Sequence, residues 1–319
     1  MRAVTIVGGR ISVEDRPDPV PGPDQLLVRV SAAGLNGADI MQMRGLYPAP
    51  PGVPADIPGI ELAGEVVALG EGSSRYHPGD RVMSLVGGGA QAELAVIDES
   101  LAMPVPAALD WPAAGGFPEV FTTAHDALAS QCQLHKGERL LVTGAAGGVG
   151  TAAVQIGIAI GARVVASVRK PALRPAVAEL GAEVVDPSEV GDHGPYDVVL
   201  ELVGGPGFEA NLPAMAPGGR IAVIGIGGGT RVALDLLTLM GRRVRVMGST
   251  LRSRSLEEKA LTARRVEAEL LPLLEAGKLR VIVGEVFALE SAADAYARFQ
   301  AGGKLGKIVL NSCALATGT

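Results

Sequence analysis

The chain has 319 residues, 48% of them hydrophobic and 19% charged, enough for two cores and too apolar for wholesale disorder. A net charge of -6 excludes a nucleic-acid backbone or an anionic membrane as main partner, while leaving room for a local basic pocket. Its two cysteines, Cys132 and Cys313, stand far apart and outside any C-x-x-C, which excludes a cysteine-rich zinc lobe and gives no disulfide framework; a reducing cytoplasm is the expected setting.

Residues 1–118 predict a β-rich region. The opening "MRAVTIVGGR" alternates as a strand and lacks an apolar signal core. The short apolar runs "QLLVRVS", "AGEVVALG" and "DRVMSLV" follow, bounded by Gly, Pro and Asp, with "PDPVPGPD" and "YPAPPGVPADIPG" as loops. From about residue 120 to 255 the pattern changes. "RLLVTG", "RVVASV", "DVVLEL", "RIAVIG" and "VRVMGS" are near-continuous apolar runs separated by helical stretches. That is the pattern of parallel strands buried on both faces, and it predicts a doubly wound α/β sheet. The most membrane-like stretch, "TAAVQIGIAIGARVVASV" from Thr151, contains Gln155, Arg163 and a pair of glycines. A buried helix running into a buried strand accounts for it better than a bilayer span. The tail predicts a helix over "LTARRVEAELLPLLEAG", a second over "AADAYARFQ", and a strand, "GKIVL".

The stretch "LLVTGAAGGVGTAAVQIG" from Leu140 reads as strand, glycine loop and helix, the arrangement that places helix N-terminal amides against a pyrophosphate. It is not a perfect G-x-G-x-x-G. Aligned on Gly147 and Gly150, the first glycine position holds Ala145, while Gly144 and Gly148 still allow a tight turn. An NAD site places an acid near the end of the next strand. Here that strand runs into "VVASVRKPALRP": Ser167 stands in the acid's place, and Arg169, Lys170 and Arg174 follow. Cations without a carboxylate favour a 2′-phosphate, hence NADPH; the other reading is solvated charge ahead of a helix.

Across nearly its whole length the chain resembles the medium-chain dehydrogenase/reductase superfamily. The residues that carry this are "GLNGAD" from Gly34, "PGIELAGEVVALG" from Pro58, "PGDRV" from Pro78 and "GAAGGVG" from Gly144. Where zinc-dependent members carry a cysteine and a histidine ligand, this chain has Asn36 and Ile60, and neither suits zinc. Glu61 and Glu119 remain, and the histidines His77, His125, His135 and His193 lack ligand spacing. The chain is therefore similar to the zinc-free quinone oxidoreductase (zeta-crystallin-like) branch. Within it, "LNGADIMQMRGLYPAPPG", "GGGAQAELAV" and "STLRSRS" look closest to the stress-inducible subgroup. Met41 departs from relatives that carry a tyrosine there.

That resemblance implies a GroES-like β-rich catalytic domain (1–118, completed by 264–319) and a Rossmann domain (119–263). It implies NADPH, reduction of quinones or related enones, and a homodimer through the edges of two Rossmann sheets, here "RRVRVMGST". It places Asn36, Asp39 and Tyr47 facing the nicotinamide across the domain cleft. The other reading of Asp39 is the N-cap of "IMQMRG", and that of Tyr47 a wall residue. For the cofactor it implies the loop residues Gly144, Ala145, Gly147, Gly148, Val149 and Gly150. It adds Gly225 and Ile226 in "VIGIGGG", Ser249, Thr250 and Leu251 in "GSTLRSRS", and Lys307 in "GKLGKIVL". Tyr196 stacks near the adenine or is a plain strand-entry aromatic. Arg252 and Arg254 read as surface charges, with a phosphate contact as the other possibility. Competing functions are reduction of a 2-enoyl thioester and a catalytically silent NADPH-binding protein.

Overall fold

A computed structural model of the protein describes residues 1–312; Cys313 lies outside the described residues. The chain divides into two compact units, one made of residues 1–122 and 252–319 and the other of residues 123–251.

The first unit begins with a hairpin of β1 (Arg2–Val7) and β2 (Arg10–Asp15). Gly8 and Gly9 both have positive φ at its tip, as a two-residue turn between twisted strands requires. β3 (Gln25–Gly34), helix α1 (Gly37–Met43), β4 (Glu61–Leu69), β5 (Arg81–Leu85), β6 (Leu94–Asp98) and β7 (Ala102–Pro104) follow. Then come α2 (Trp111–Gly115) and α3 (Pro118–His125).

In the second unit strands and helices alternate: β8 (Arg139–Val142), α4 (Gly148–Ile160), β9 (Arg163–Ser167), α5 (Arg174–Ala178), β10 (Glu183–Val185), β11 (Tyr196–Glu201), α6 (Pro206–Asn211), β12 (Met215–Val223), α7 (Leu236–Arg242) and β13 (Arg245–Gly248). The strands form one sheet in the order β10-β9-β8-β11-β12-β13, with every neighbouring pair parallel. Counted from β8 this is 3-2-1-4-5-6, the doubly wound order of dinucleotide-binding sheets. The apolar runs sit where the sequence predicts them, because both faces of a parallel sheet are covered.

The chain then returns to the first unit through α8 (Leu256–Glu275), β14 (Val283–Ala288), α9 (Ala292–Gln300) and β15 (Lys307–Asn311). There the sheet order is β14-β15-β3-β4-β5-β7, with β6 also on β3. β15 lies antiparallel to β3 with Val309 opposite Gly34, which carries the far end of the sequence to the start of α1.

The expected boundary at 263 falls inside α8, and the helix shows why the unit ends earlier. Ser255 caps it reciprocally with Glu258. Thr262, Ala263, Val266, Leu270, Leu271 and Leu274 are buried along one stripe of it. A boundary at 263 would cut this stripe, and residues 252–263 group with the first unit. No helix among the described residues is long and apolar enough to cross a membrane.

Candidate functional site

In the second unit, β8 leads into the glycine loop and the loop into α4. Gly144 has φ +57°, open to glycine at no steric cost. A Cβ on Gly150 would lie 2.6 Å from the Ala145 Cα, so that glycine is required by the packing of the helix start against the loop. Ala145, at the first-glycine position, is fully buried, and its N–H donates to the Ser167 carbonyl at 3.2 Å. Gly147, Gly148 and Val149 are partly exposed at the head of α4, whose free N–H groups and dipole suit an anion.

A buried carboxylate that the sequence reading did not single out organises the loop after β11. Glu201 Oε1 accepts from the Thr143 hydroxyl at 2.9 Å and from the N–H groups of Val203 and Gly204, each at 2.8 Å. Its Oε2 accepts from Asn211 at 2.9 Å. The available signal was an acid closing an apolar strand run. Beside this loop, a Cβ on Gly225 would lie 2.1 Å from the Leu202 carbonyl oxygen, and Ile226 is exposed. Glycine thus lets the loops at the carboxyl ends of β11 and β12 approach each other closely, and the Glu201 carboxylate ties the end of β8 to the loop after β11. The arrangement fits a dinucleotide.

At the end of β9, Ser167 is buried, and Arg169 and Lys170 are exposed just beyond it. Arg174 is committed elsewhere: its Nε donates to the Val168 carbonyl and its guanidinium pairs with Asp186. Tyr196 is a correction. It is fully buried in the core of this unit, and its hydroxyl donates to the Val190 carbonyl at 2.8 Å, so no ring face is free for an adenine. Ser249 accepts from Gln131 at 2.7 Å, Thr250 is exposed, and Leu251 is buried.

In the first unit, the residues expected to face a cofactor are tied into a buried network. Asn36, not Asp39, is the N-cap of α1. Asp39 is the third helical residue and accepts the Asn36 N–H at 2.8 Å and the Gly59 N–H at 3.1 Å. Burial pushes the Asp39 carboxyl up to about 7, against the pull of the Asn36 N–H and the Lys307 charge. The Asn36 side chain donates to Glu61 Oε1 at 2.9 Å and accepts from the Lys307 ammonium at 2.6 Å. The Lys307 ammonium also reaches the Leu35 carbonyl at 2.9 Å and Glu61 Oε1 at 2.5 Å. Its three donors are all used, which corrects the expectation that it contacts the cofactor. Glu61 Oε2 takes the Glu119 N–H at 2.8 Å. A Cβ on Gly34 would lie 2.2 Å from Glu61 Oε1, so the glycine of "GLNGAD" makes room for this carboxylate.

Tyr47 is half-buried, beside Arg252. Arg252, which its polar sequence context marks as a surface charge, is only 6% exposed. Its guanidinium lies 5.1 Å from the Tyr47 ring centroid. Nε donates to the Gly87 carbonyl at 2.7 Å, Nη1 to the Tyr47 carbonyl at 3.1 Å and Nη2 to Gln42 Oε1 at 2.6 Å. Burial raises the Tyr47 phenol above its ordinary value, against the pull of the Arg252 charge, and so keeps it a hydrogen-bond donor.

Two family models match the chain: an alcohol dehydrogenase GroES-like domain over residues 22–107 and a zinc-binding dehydrogenase over residues 161–310. Quinone oxidoreductase of Rattus norvegicus is 31% identical over 306 residues, covering 92% of this chain and 90% of the relative. The chain belongs to the medium-chain dehydrogenase/reductase family. The solved quinone oxidoreductase of Thermus thermophilus, studied also as its complex with NADPH, superposes with a TM-score of 0.85. It is 32% identical, with 98% of this chain and 100% of that one covered. A phenolphthiocerol/phthiocerol polyketide synthase component of Mycobacterium tuberculosis is 32% identical over 303 residues; these span 91% of this chain and 14% of that protein.

The second family model's name carries zinc, so the donor set matters. The Asn36 oxygen is taken by an ammonium, Ile60 is an apolar residue 3% exposed, and Glu61 is already paired with Lys307. An amide, an alkyl side chain and a lysine-bound carboxylate do not make a zinc site.

Proposed function

We propose that this protein is an NADPH-dependent reductase of quinones or related α,β-unsaturated carbonyls that works without a metal. The observation that carries the reading is the pairing of a complete glycine-loop sheet with amide and isoleucine at the zinc-ligand positions. Such a protein binds a nicotinamide dinucleotide and lacks the Lewis acid that alcohol oxidation uses. Bound NADPH supplies a hydride; with one proton from water, a quinone becomes a hydroquinone and the cofactor is left as NADP⁺.

The chain's own part is binding and orientation. The head of α4 holds the pyrophosphate, and the exposed Arg169 and Lys170 beyond Ser167 take the 2′-phosphate. Tyr47 contacts the acceptor through its protonated phenol. Asn36 and Asp39 act as positioning residues, fixing α1 and thereby the segment that presents Tyr47. A homodimer through the β13 edge is part of the same proposal. It is supported by the edge position of β13 and by exposed Leu236, Leu237, Met240 and Val246 in this part of the unit.

The test is NADPH oxidation by purified protein with a panel of quinones, enals and enoyl thioesters, alongside elemental analysis for zinc. Quinone turnover without stoichiometric zinc is the expected result. Turnover of enoyl thioesters alone would establish the second reading, which the match to a polyketide synthase favours. NADPH binding without turnover of any acceptor would make the protein a silent NADPH binder.

A further inference from the structure

Among the described residues of the first unit, the buried cation Arg252 is bonded to no carboxylate. Among the described residues, the Arg252 side chain donates to three uncharged oxygens, those of Gly87, Tyr47 and Gln42. Each terminal nitrogen keeps one further N–H. Asp39 and Glu119 are near enough for their charge to be felt, but neither is bonded to the guanidinium among the described residues. Burial and, after it, the Arg252 charge hold the ammonium of Lys259, in the first turns of α8, below its ordinary value, and it has no carboxylate partner among the described residues. Two neighbouring positive charges, one of them buried, repel each other and are poorly solvated. An anion at the guanidinium relieves both effects.

The surroundings describe the anion's carrier. The Tyr47 ring stacks against the guanidinium. Pro50 and Val53 flank Gly87, and Val53 also flanks Gly88. A Cβ on Gly88 would come to 3.6 Å from Arg252 Nη2, so Gly88 lies directly against the guanidinium. Aromatic, apolar and cationic surfaces meet here.

We propose that Arg252, assisted by Lys259, is the specificity determinant of the acceptor site and selects flat conjugated acceptors that carry an anionic oxygen substituent, a carboxylate or sulfonate. This rests on the quinone reductase reading and adds to it the charge of the preferred substrate. A charge-assisted hydrogen bond of this kind is worth roughly a ten- to hundredfold change in affinity.

The test compares kcat/KM for 1,2-naphthoquinone-4-sulfonate and neutral 1,2-naphthoquinone in wild type, Arg252→Met and Lys259→Gln. Calorimetric titration with naphthalene-1-sulfonate accompanies it and needs no turnover. The ratio of sulfonate to neutral kcat/KM falls by roughly tenfold or more in Arg252→Met, by roughly two- to fivefold in Lys259→Gln, and with rising salt in wild type. Equal losses on both quinones overturn the proposal and make Arg252 a packing residue. NADPH binding weakened by the same factor as the sulfonate overturns it and makes the cations a cofactor contact. Should Arg252→Met not fold, the Lys259→Gln ratio and the salt dependence decide, and a ratio insensitive to both overturns it. If no quinone is reduced at all, the function reading falls, while naphthalene sulfonate binding weakened in Lys259→Gln still upholds the anion site.

Discussion

Replacing Lys307 by methionine separates a structural lysine from one that binds cofactor. The side chain is 2% exposed and its ammonium sits 2.5 Å from a fully buried Glu61. Removing it leaves a carboxylate in the core with the Asn36 amide and the Glu119 N–H as remaining donors. Breaking a buried pair from one side costs about 3–5 kcal/mol; with two donors left, about 3 kcal/mol is expected. The unit that contains it has about 190 residues, for which 1 kcal/mol moves the melting temperature by about 2–4 °C. Lys307→Met should therefore melt about 6–12 °C lower by calorimetry. Glu61→Leu in the same chain should recover much of that, because the orphaned charge goes with it. NADPH affinity of the folded protein should stay within about threefold of wild type, since no donor is left to contact a ligand. Unchanged melting together with a ten- to hundredfold loss of NADPH affinity, of the size about 1.5–3 kcal/mol gives, would refute the assignment.

Arg169→Ala and Lys170→Ala should each raise the NADPH dissociation constant roughly ten- to a hundredfold and leave NADH nearly unchanged; equal loss for both cofactors would make these residues structural. Tyr47→Phe should lower kcat/KM for ortho-quinones roughly two- to tenfold, whereas a drop of several thousandfold would show the hydroxyl to be an essential acid. Asp39 titrates near 7 in the folded chain against 3.8 ordinarily. The native state thus binds the extra proton between these values, and stability should decline as pH rises through that window, by at most about 1.4 kcal/mol per pH unit. Urea titrations of wild type and Asp39→Asn across pH 4–8 check this, and identical pH profiles would exclude Asp39 as the source.

The elements of the second unit were legible because each is a local pattern: an apolar run bounded by breakers, then glycines, then a helix. Ala145 and Gly150 could be placed in the loop from spacing alone. What the sequence hid is pairing over distance. Glu61 and Lys307 are 246 residues apart, and nothing local marks either as the other's partner. Arg252 lies among serines in "STLRSRS", a polar string that hides its burial. Tyr196 begins a strand, where a ring can point outward or into the core, and the tertiary packing decides. Asp39 missed its expected role by three positions, since Asn36 can cap the same turn and Asp39 can answer it.

The discontinuity of the first unit sets a timetable for synthesis. Strand β3 leaves the ribosome early, but its neighbour β15 is translated only after the whole of residues 123–251 has been made. At roughly 5–20 residues per second, Glu61 waits about 12–50 s for Lys307. During that interval the nascent β3 edge and the unpaired carboxylate are exposed to solvent and to other chains, while the inserted unit, continuous in sequence, is free to fold at once. Pauses in translation between residues 251 and 307 lengthen that exposure.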